Sequence, residues 1–133
     1  MDKIPESHRD LLTDAKRAFA FLGTQMANGA IQVTPVWFNI SGEYILVNTA
    51  RGRIKDKNMR VRPDVTLCIS DPSNPYRYLQ VRGRVVDFTE KGGNDHIDSL
   101  SAKYTGNPKY QNYQPGMVRV IYKISPEKVD AHG

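Results

Sequence analysis

Asn28-Gly29 lies between two apolar, β-rich runs, Phe19–Met26 and Ile31–Ile40. A two-residue hairpin turn needs positive φ at its central positions, and Asn-Gly is the pair that adopts this most readily. This is the strongest short-range hairpin signal, so the chain is expected to double back here as an antiparallel pair. Ser41-Gly42 repeats the device ahead of Tyr44–Val47. Further on, Val65–Ser70 meets the turn-rich segment Asp71-Pro72-Ser73-Asn74-Pro75, then a long run from Tyr76 to Phe88. Met117–Ile124 reads as the last strand, with Pro126 closing the ordered part. Short strands at hairpin spacing with few helical stretches predict a mainly β protein, a small antiparallel β-barrel with a few short helices.

The helical stretches are brief. Ser7-His8-Arg9-Asp10 has the spacing of a helix start, and Leu11, Leu12, Ala15 and Ala18 supply an apolar stripe. Gly92-Gly93 leads into a second helix with Ile97, Leu100 and Tyr104 on one side. In the long strand Tyr78, Gln80, Arg82 and Arg84 share one face and Leu79, Val81 and Val85 the other. Gly83 inside it predicts a bulge or a close backbone approach. At 133 residues the chain is expected to be a single domain, 1–133. No apolar run approaches the roughly 18–20 residues that span a bilayer, and a single cysteine, Cys68, excludes an internal disulfide, so a cytoplasmic home is expected.

The charge is concentrated. Arg51, Arg53, Lys55, Lys57, Arg60 and Arg62 stand against one acid, Asp56, so this segment carries the whole formal charge of +5. It follows Tyr44–Val47 and the polar pair Asn48-Thr49, so it reads as strand, turn and then a helix whose first turns are cationic. A helix N-terminus already carries partial positive charge, so Lys and Arg are unfavourable there unless an anion sits among them. A phosphate held by backbone N–H groups and side chains is the natural resident. A charge-rich helix is often only a solvated face. Against that, the cations cluster at the strand–helix junction and Thr49 places a hydroxyl before them. A mixed Arg and Lys set suits a phosphate ester.

Three stretches then resemble one family. Gln32-Val33-Thr34-Pro35-Val36-Trp37-Phe38 is similar to its second-strand motif, and Asn48-Thr49-Ala50-Arg51-Gly52-Arg53-Ile54-Lys55-Asp56-Lys57-Asn58-Met59 to its phosphate-binding turn and helix. Tyr76-Arg77-Tyr78-Leu79-Gln80-Val81-Arg82-Gly83-Arg84-Val85 resembles its long strand. The family is that of the pyridoxamine 5′-phosphate oxidase-like split β-barrels (FMN-binding split barrels). Its branch of F420-dependent oxidoreductases is the nearest likeness, from Ile4 to Val129.

That resemblance implies a homodimer with a flavin or deazaflavin site at the dimer interface and a small-molecule substrate. Carried over by position, Thr49, Arg53 and Lys55 would contact the cofactor phosphate, with Lys57 and Asn58 close by. Val33, Thr34, Pro35, Val36 and Trp37 would lie along the tricyclic ring, and Tyr78 and Gln80 would approach it from the facing subunit. FMN and coenzyme F420 share ring, polyol and phosphate, but F420 continues into a polyglutamate chain. The cations beyond those a phosphate needs (Arg51, Lys57, Arg60, Arg62) favour F420, with FMN the alternative. The implied activity is hydride transfer between the reduced coenzyme and an organic acceptor.

No acid–base pair stands out. His8, His96 and His132 fall near the termini or on a polar helix face and are expected in solvent. Cys68 is expected in the core, and Trp37 either in the core or against the cofactor. Tyr104, Tyr110 and Tyr113 either cap a substrate pocket or pack on the barrel mouth. Two rivals remain from other classes. One is a nucleic-acid-binding small barrel using Arg77, Tyr78, Arg82 and Arg84, although the confinement of charge to one junction argues against nucleic acid. The other is a cofactor-sequestering or haem-binding protein, for which no core-strand histidine is available. No metal site is expected.

Overall fold

The computed structural model describes all residues, Met1–Gly133. Seven strands are hydrogen-bonded in the order β2-β1-β5-β6-β7-β4-β3, every pair antiparallel. They are β1 (Ala20–Gln25), β2 (Ile31–Val36), β3 (Phe38–Ser41), β4 (Tyr44–Ala50), β5 (Asp64–Asp71), β6 (Asn74–Thr89) and β7 (Arg119–His132). Helix α1 (Ile54–Val61) joins β4 to β5, and α2 (Gly93–Thr105) lies between β6 and β7.

The expected single run Ile31–Ile40 is two strands. Val36 ends β2 and Phe38 begins β3, with only Trp37 between them, yet these strands form the two opposite edges of the sheet. Two Cα–Cα steps span about 7.6 Å at most. The edges must therefore approach each other, and the sheet curls into an open barrel with no ladder across the gap. This is the split barrel that the family resemblance implies, and the seam at Trp37 is where a polar cleft opens.

Alternation sets the core. Val65, Leu67 and Ile69 of β5, Leu79 and Val81 of β6, and Val120, Tyr122 and Ile124 of β7 point inward and are buried, while Thr66, Arg82 and Arg84 face out. Met59 of α1 and Ile4 and Leu11 of the N-terminal segment extend this interior.

β7 continues beyond Pro126 to His132, contrary to the expected end. Its register with β6 shifts between Arg82 and Gly83, where Pro126 faces Gly83. At such a bulge the missing proline N–H breaks no regular ladder bond. Gly83 is needed there because a Cβ would stand 2.7 Å from Ile124 Cγ2 and 3.0 Å from the Ser125 carbonyl oxygen. The expected N-terminal helix is shorter, a 3-10 turn over Glu6–Leu12 that leaves Ala15 exposed. Ser7 caps nothing, because Pro5 occupies the cap position and Asp10 is drawn to Arg77.

Candidate anion-binding cleft

The turn after β4 is built around Asp56. Gly52, at φ +94°, reverses the chain and donates its N–H to Asp56 Oδ2 at 2.8 Å. The other carboxylate oxygen accepts from the buried Tyr122 hydroxyl at 2.6 Å and from Arg60 Nε at 2.9 Å. Burial alone would raise the Asp56 pKa, but Tyr122, Gly52 and Arg60 together hold it below the usual carboxylate value. With its one acid turned inward in this way, α1 follows Arg53 as N-cap residue without a side-chain cap, and its first-turn cations face outward.

Arg53 and Lys55 line a cleft of about 220 Å³ at the barrel seam. Its walls are Pro35, Val36 and Trp37; Asn48 and Thr49; Arg53 and Lys55; and Ile97, Tyr110, Asn112 and Arg119. Three are cations and none is an acid. Arg53, Lys55 and Arg119 make no ion pair. Lys55 is half-buried, and desolvation, followed by repulsion from Arg53 and Arg119, pushes its pKa down. The pKa of Arg119, only 4% exposed, is also lowered, chiefly by burial. Thr49, 1% exposed, has a side-chain oxygen with no hydrogen-bond partner, and so does Thr34 on β2. Buried unpaired hydroxyls are uncommon in folded proteins. A cavity with surplus positive charge and an unsatisfied hydroxyl has the chemistry of an anion site.

The expected site residues divide into groups. Pro35, Val36, Trp37, Thr49, Arg53 and Lys55 meet in this cleft. Val33, Tyr78 and Gln80 line a separate shallow trough of about 490 Å³ on the outer face of β1, β2, β5 and β6, with Phe21, Ile31 and Cys68. Val33 and Pro35 sit two apart on β2, so the trough and the cleft adjoin along one strand face. Lys57 projects to solvent outside the cleft. Asn58 turns inward instead, its amide donating to Thr24 Oγ1 at 3.0 Å.

The structure corrects several sequence expectations. Cys68 lies on the trough side of β5, one residue out of phase with buried Leu67 and Ile69. His8 is buried, with Nε2 2.8 Å from the His132 carbonyl oxygen. His96 is half-buried between Asn39 and Asn48. Most of the cations assigned to a polyglutamate tail are committed to the protein. Arg51 and Arg60 pair with Glu90, and Arg62 donates to the Gln25 carbonyl oxygen at 2.6 Å. Of the arginines offered for nucleic acid, Arg77 is bound by Asp10 and Asp71 and Arg84 by Asp64.

Trp37 is a cleft wall with one face already taken. Tyr104 stacks on it at 5.3 Å and 8°, Tyr110 meets it edge-on at 6.2 Å, and Tyr113 meets Tyr110 edge-on. Tyr110 thus lines the cleft while Tyr104 packs behind it, donating to the Ala18 carbonyl oxygen at 2.6 Å. Sequence reasoning missed Arg119 and Asn48. The available signal was a lone Arg at the head of the apolar run Met117–Ile124, which pairs with β4 beside Thr49.

No helix is long and apolar enough to cross a membrane. The family model described as pyridoxamine 5′-phosphate oxidase matches residues 4–133. No curated protein matches the chain. Among solved structures, one named F420 reductase is 29% identical, with a TM-score of 0.82 over 96% of this chain and 98% of its own. A conserved hypothetical protein from Mycobacterium tuberculosis is 19% identical, with a TM-score of 0.73 over 97% of this chain and 84% of its own. HupZ of group A Streptococcus is 14% identical, with a TM-score of 0.64 over 96% and 93%. The last two share the fold alone. With its curled seven-stranded sheet and a match running from residue 4 to the last residue, the chain belongs to the pyridoxamine 5′-phosphate oxidase family.

Proposed function

We propose that this protein is an oxidoreductase using the deazaflavin coenzyme F420, passing a hydride between it and a small organic acceptor. The observation that carries this is the cleft, where Arg53, Lys55 and the unpartnered Thr49 hydroxyl surround space that holds no acid. These residues fit a phosphate group. Arg53 and Lys55 would neutralise it, the Thr49 O–H would donate to it, and the uncapped start of α1 adds free amides. Pro35, Val36 and Trp37 form the adjoining wall for a planar ring. The bound coenzyme supplies the hydride chemistry. The protein's part is to hold the phosphate, orient the ring against β2 and keep water out with Trp37, Tyr110 and Ile97.

F420 is preferred because of the likeness to the structure named F420 reductase. FMN is the second reading, favoured by one observation. With Arg51, Arg60 and Arg62 bound within the protein, the cleft serves the parts that the two cofactors share. We further infer a homodimer. Phe21, Ile31 and Val33 are 41%, 60% and 61% exposed beside the trough, an apolar surface suited to burial against a second copy, which would bring Tyr78 and Gln80 to a neighbouring cofactor. The cytoplasm is the proposed location. The test is turnover. Reduced F420 mixed with the protein and conjugated acceptors should regain the oxidised absorbance, and Arg53→Ala/Lys55→Ala should abolish this. Reduced FMN alone serving as hydride donor would transfer the proposal to FMN; neither serving would remove it.

A further inference from the structure

The third cation of the cleft belongs to a different element from the other two and is held by an apparatus of its own. Arg119 opens β7 and is 4% exposed. Its Nε donates to Asn48 Oδ1 at 2.7 Å, and its guanidinium lies 5.2 Å from the centre of the Tyr110 ring. Nη1 reaches only the Met117 sulfur, at 3.7 Å, and no carboxylate accepts from the group.

The orientation of Asn48 is itself fixed by a chain of directional bonds. Its amide donates to the Gly93 carbonyl oxygen at 3.0 Å and to His96 Nδ1 at 3.0 Å. His96 Nε2 lies 2.7 Å from Asn39 Oδ1. With that nitrogen donating, Nδ1 is left as an acceptor, the Asn48 amide must face it, and Oδ1 is left for Arg119. The tautomer is thus inferred from the bonding pattern. A neutral imidazole suits this role, and burial, followed by the nearness of Arg119, pushes the His96 pKa down to about 4. Asn39 and Asn48 on two strands, with His96 and Gly93 on α2, thus hold a buried guanidinium still.

A phosphate held by Arg53, Lys55 and Thr49 leaves Arg119 without a counter-charge. Its Nε is taken by Asn48 and its Nη1 meets only the weakly accepting Met117 sulfur, so the edge left for a stronger acceptor is the Nη1/Nη2 pair. Two coplanar N–H groups at that spacing match the two oxygens of a carboxylate. We propose that Arg119, positioned by Asn48 and His96, is a carboxylate-binding residue of this cleft, distinct in role from the phosphate-binding pair Arg53 and Lys55. The carboxylate comes either from the acceptor or from the tail of F420. The division of the cleft between a phosphate and a carboxylate, like this choice of source, rests on the proposed function; the capacity of Arg119 to take a carboxylate does not.

The test begins without coenzyme. Trp37 is the only tryptophan and lines the cleft, so its fluorescence reports binding of benzoate and, separately, of inorganic phosphate. Arg119→Met should weaken benzoate by about tenfold or more and phosphate by less than about twofold, as expected for losing one charge-assisted bond at one of two anion positions. His96→Gln, whose carbonyl and amide reproduce the accepting and donating sides of the ring, should retain benzoate binding. His96→Phe should lose several-fold, a difference that filling space alone would not produce. Unchanged benzoate affinity in Arg119→Met, or phosphate falling in step with benzoate, would overturn the assignment. With coenzyme present, a selective loss of F420 over FMN in Arg119→Met identifies the tail as the source. A raised KM for carboxylate-bearing acceptors at unchanged F420 affinity identifies the acceptor. If the wild type binds neither F420 nor FMN, the functional proposal fails, while the benzoate contrast still decides the role of Arg119.

Discussion

Thr49→Val should stabilise the ligand-free protein and weaken cofactor binding, two effects of opposite sign from one atom. Thr49 is 1% exposed and its Oγ1 has no partner, while valine has nearly the same shape. Leaving a buried hydroxyl unsatisfied costs about 1–3 kcal/mol, and water entering the cleft recovers part of this, so about 1 kcal/mol is the working gain. For a chain of this length an unfolding entropy near 2 cal/mol/K per residue converts 1 kcal/mol into roughly 3–4 °C of Tm. Ligand-free Thr49→Val should therefore melt about 3–4 °C above wild type. On the binding side, losing one charge-assisted hydrogen bond to phosphate should weaken affinity by roughly ten- to a hundredfold. Thermal melts of both proteins, with and without F420, measure the two effects together: the ligand-induced rise in Tm should shrink in the variant even as its starting Tm is higher. A lower Tm for the ligand-free variant would refute the reasoning, because the hydroxyl would then be satisfied within the fold. An undiminished ligand shift would show that Thr49 does not touch the anion.

Other predictions follow from the same geometry. Arg53→Ala with Lys55→Ala should reduce cofactor affinity by at least about a hundredfold with no loss of folding stability, since neither side chain has a partner and the pair repel each other; fluorescence titration and denaturant melts check the two halves. The unfolded chain protonates its histidines near the ordinary value of 6.5, whereas folded His96 accepts a proton only near pH 4, so between these values the unfolded state binds more protons. Acidification through that window should therefore cost up to roughly 3 kcal/mol through this group, a loss missing from His96→Gln when the two proteins are unfolded in denaturant at each pH. Gly93→Ala should open the cleft, because a Cβ there would stand 2.2 Å from the Arg119 carbonyl oxygen and must push α2 off β7. A cost of about 1–3 kcal/mol, with loss of benzoate binding, is the expected result of equilibrium unfolding and fluorescence titration.

The barrel was legible because its signals are local. Asn28-Gly29 and Ser41-Gly42 announce hairpins from neighbouring residues alone, and the alternation of Tyr78 and Gln80 with Leu79 and Val81 assigns faces without knowledge of partners. Gly83 was readable as a bulge, but the continuation through Pro126 was not, since proline is harmless there only because it faces that glycine across two strands. The break at Trp37 was hidden for a similar reason. Ile31–Ile40 is uniformly β-forming, and only closure of the sheet requires the chain to change edges at that residue. At the site, the basic run pointed to Arg53 and Lys55, yet charge counting cannot distinguish a free cation from one held by Glu90 thirty or more residues away, as Arg51 and Arg60 are. Arg119 looked like an ordinary strand-end residue because its meaning lies in Asn48 and His96, which long-range pairing brings to it. Cys68 was misplaced by one step of phase, the smallest error a strand allows and the one that moves a side chain from core to surface.

The central claim is that the cleft beside Trp37 binds a phosphorylated deazaflavin. The direct measurement is a pair of fluorescence titrations of Trp37, one with F420 and one with FMN. Quenching at micromolar F420 or below, with weaker FMN binding, is the predicted result. Failure of both cofactors to bind would contradict the account.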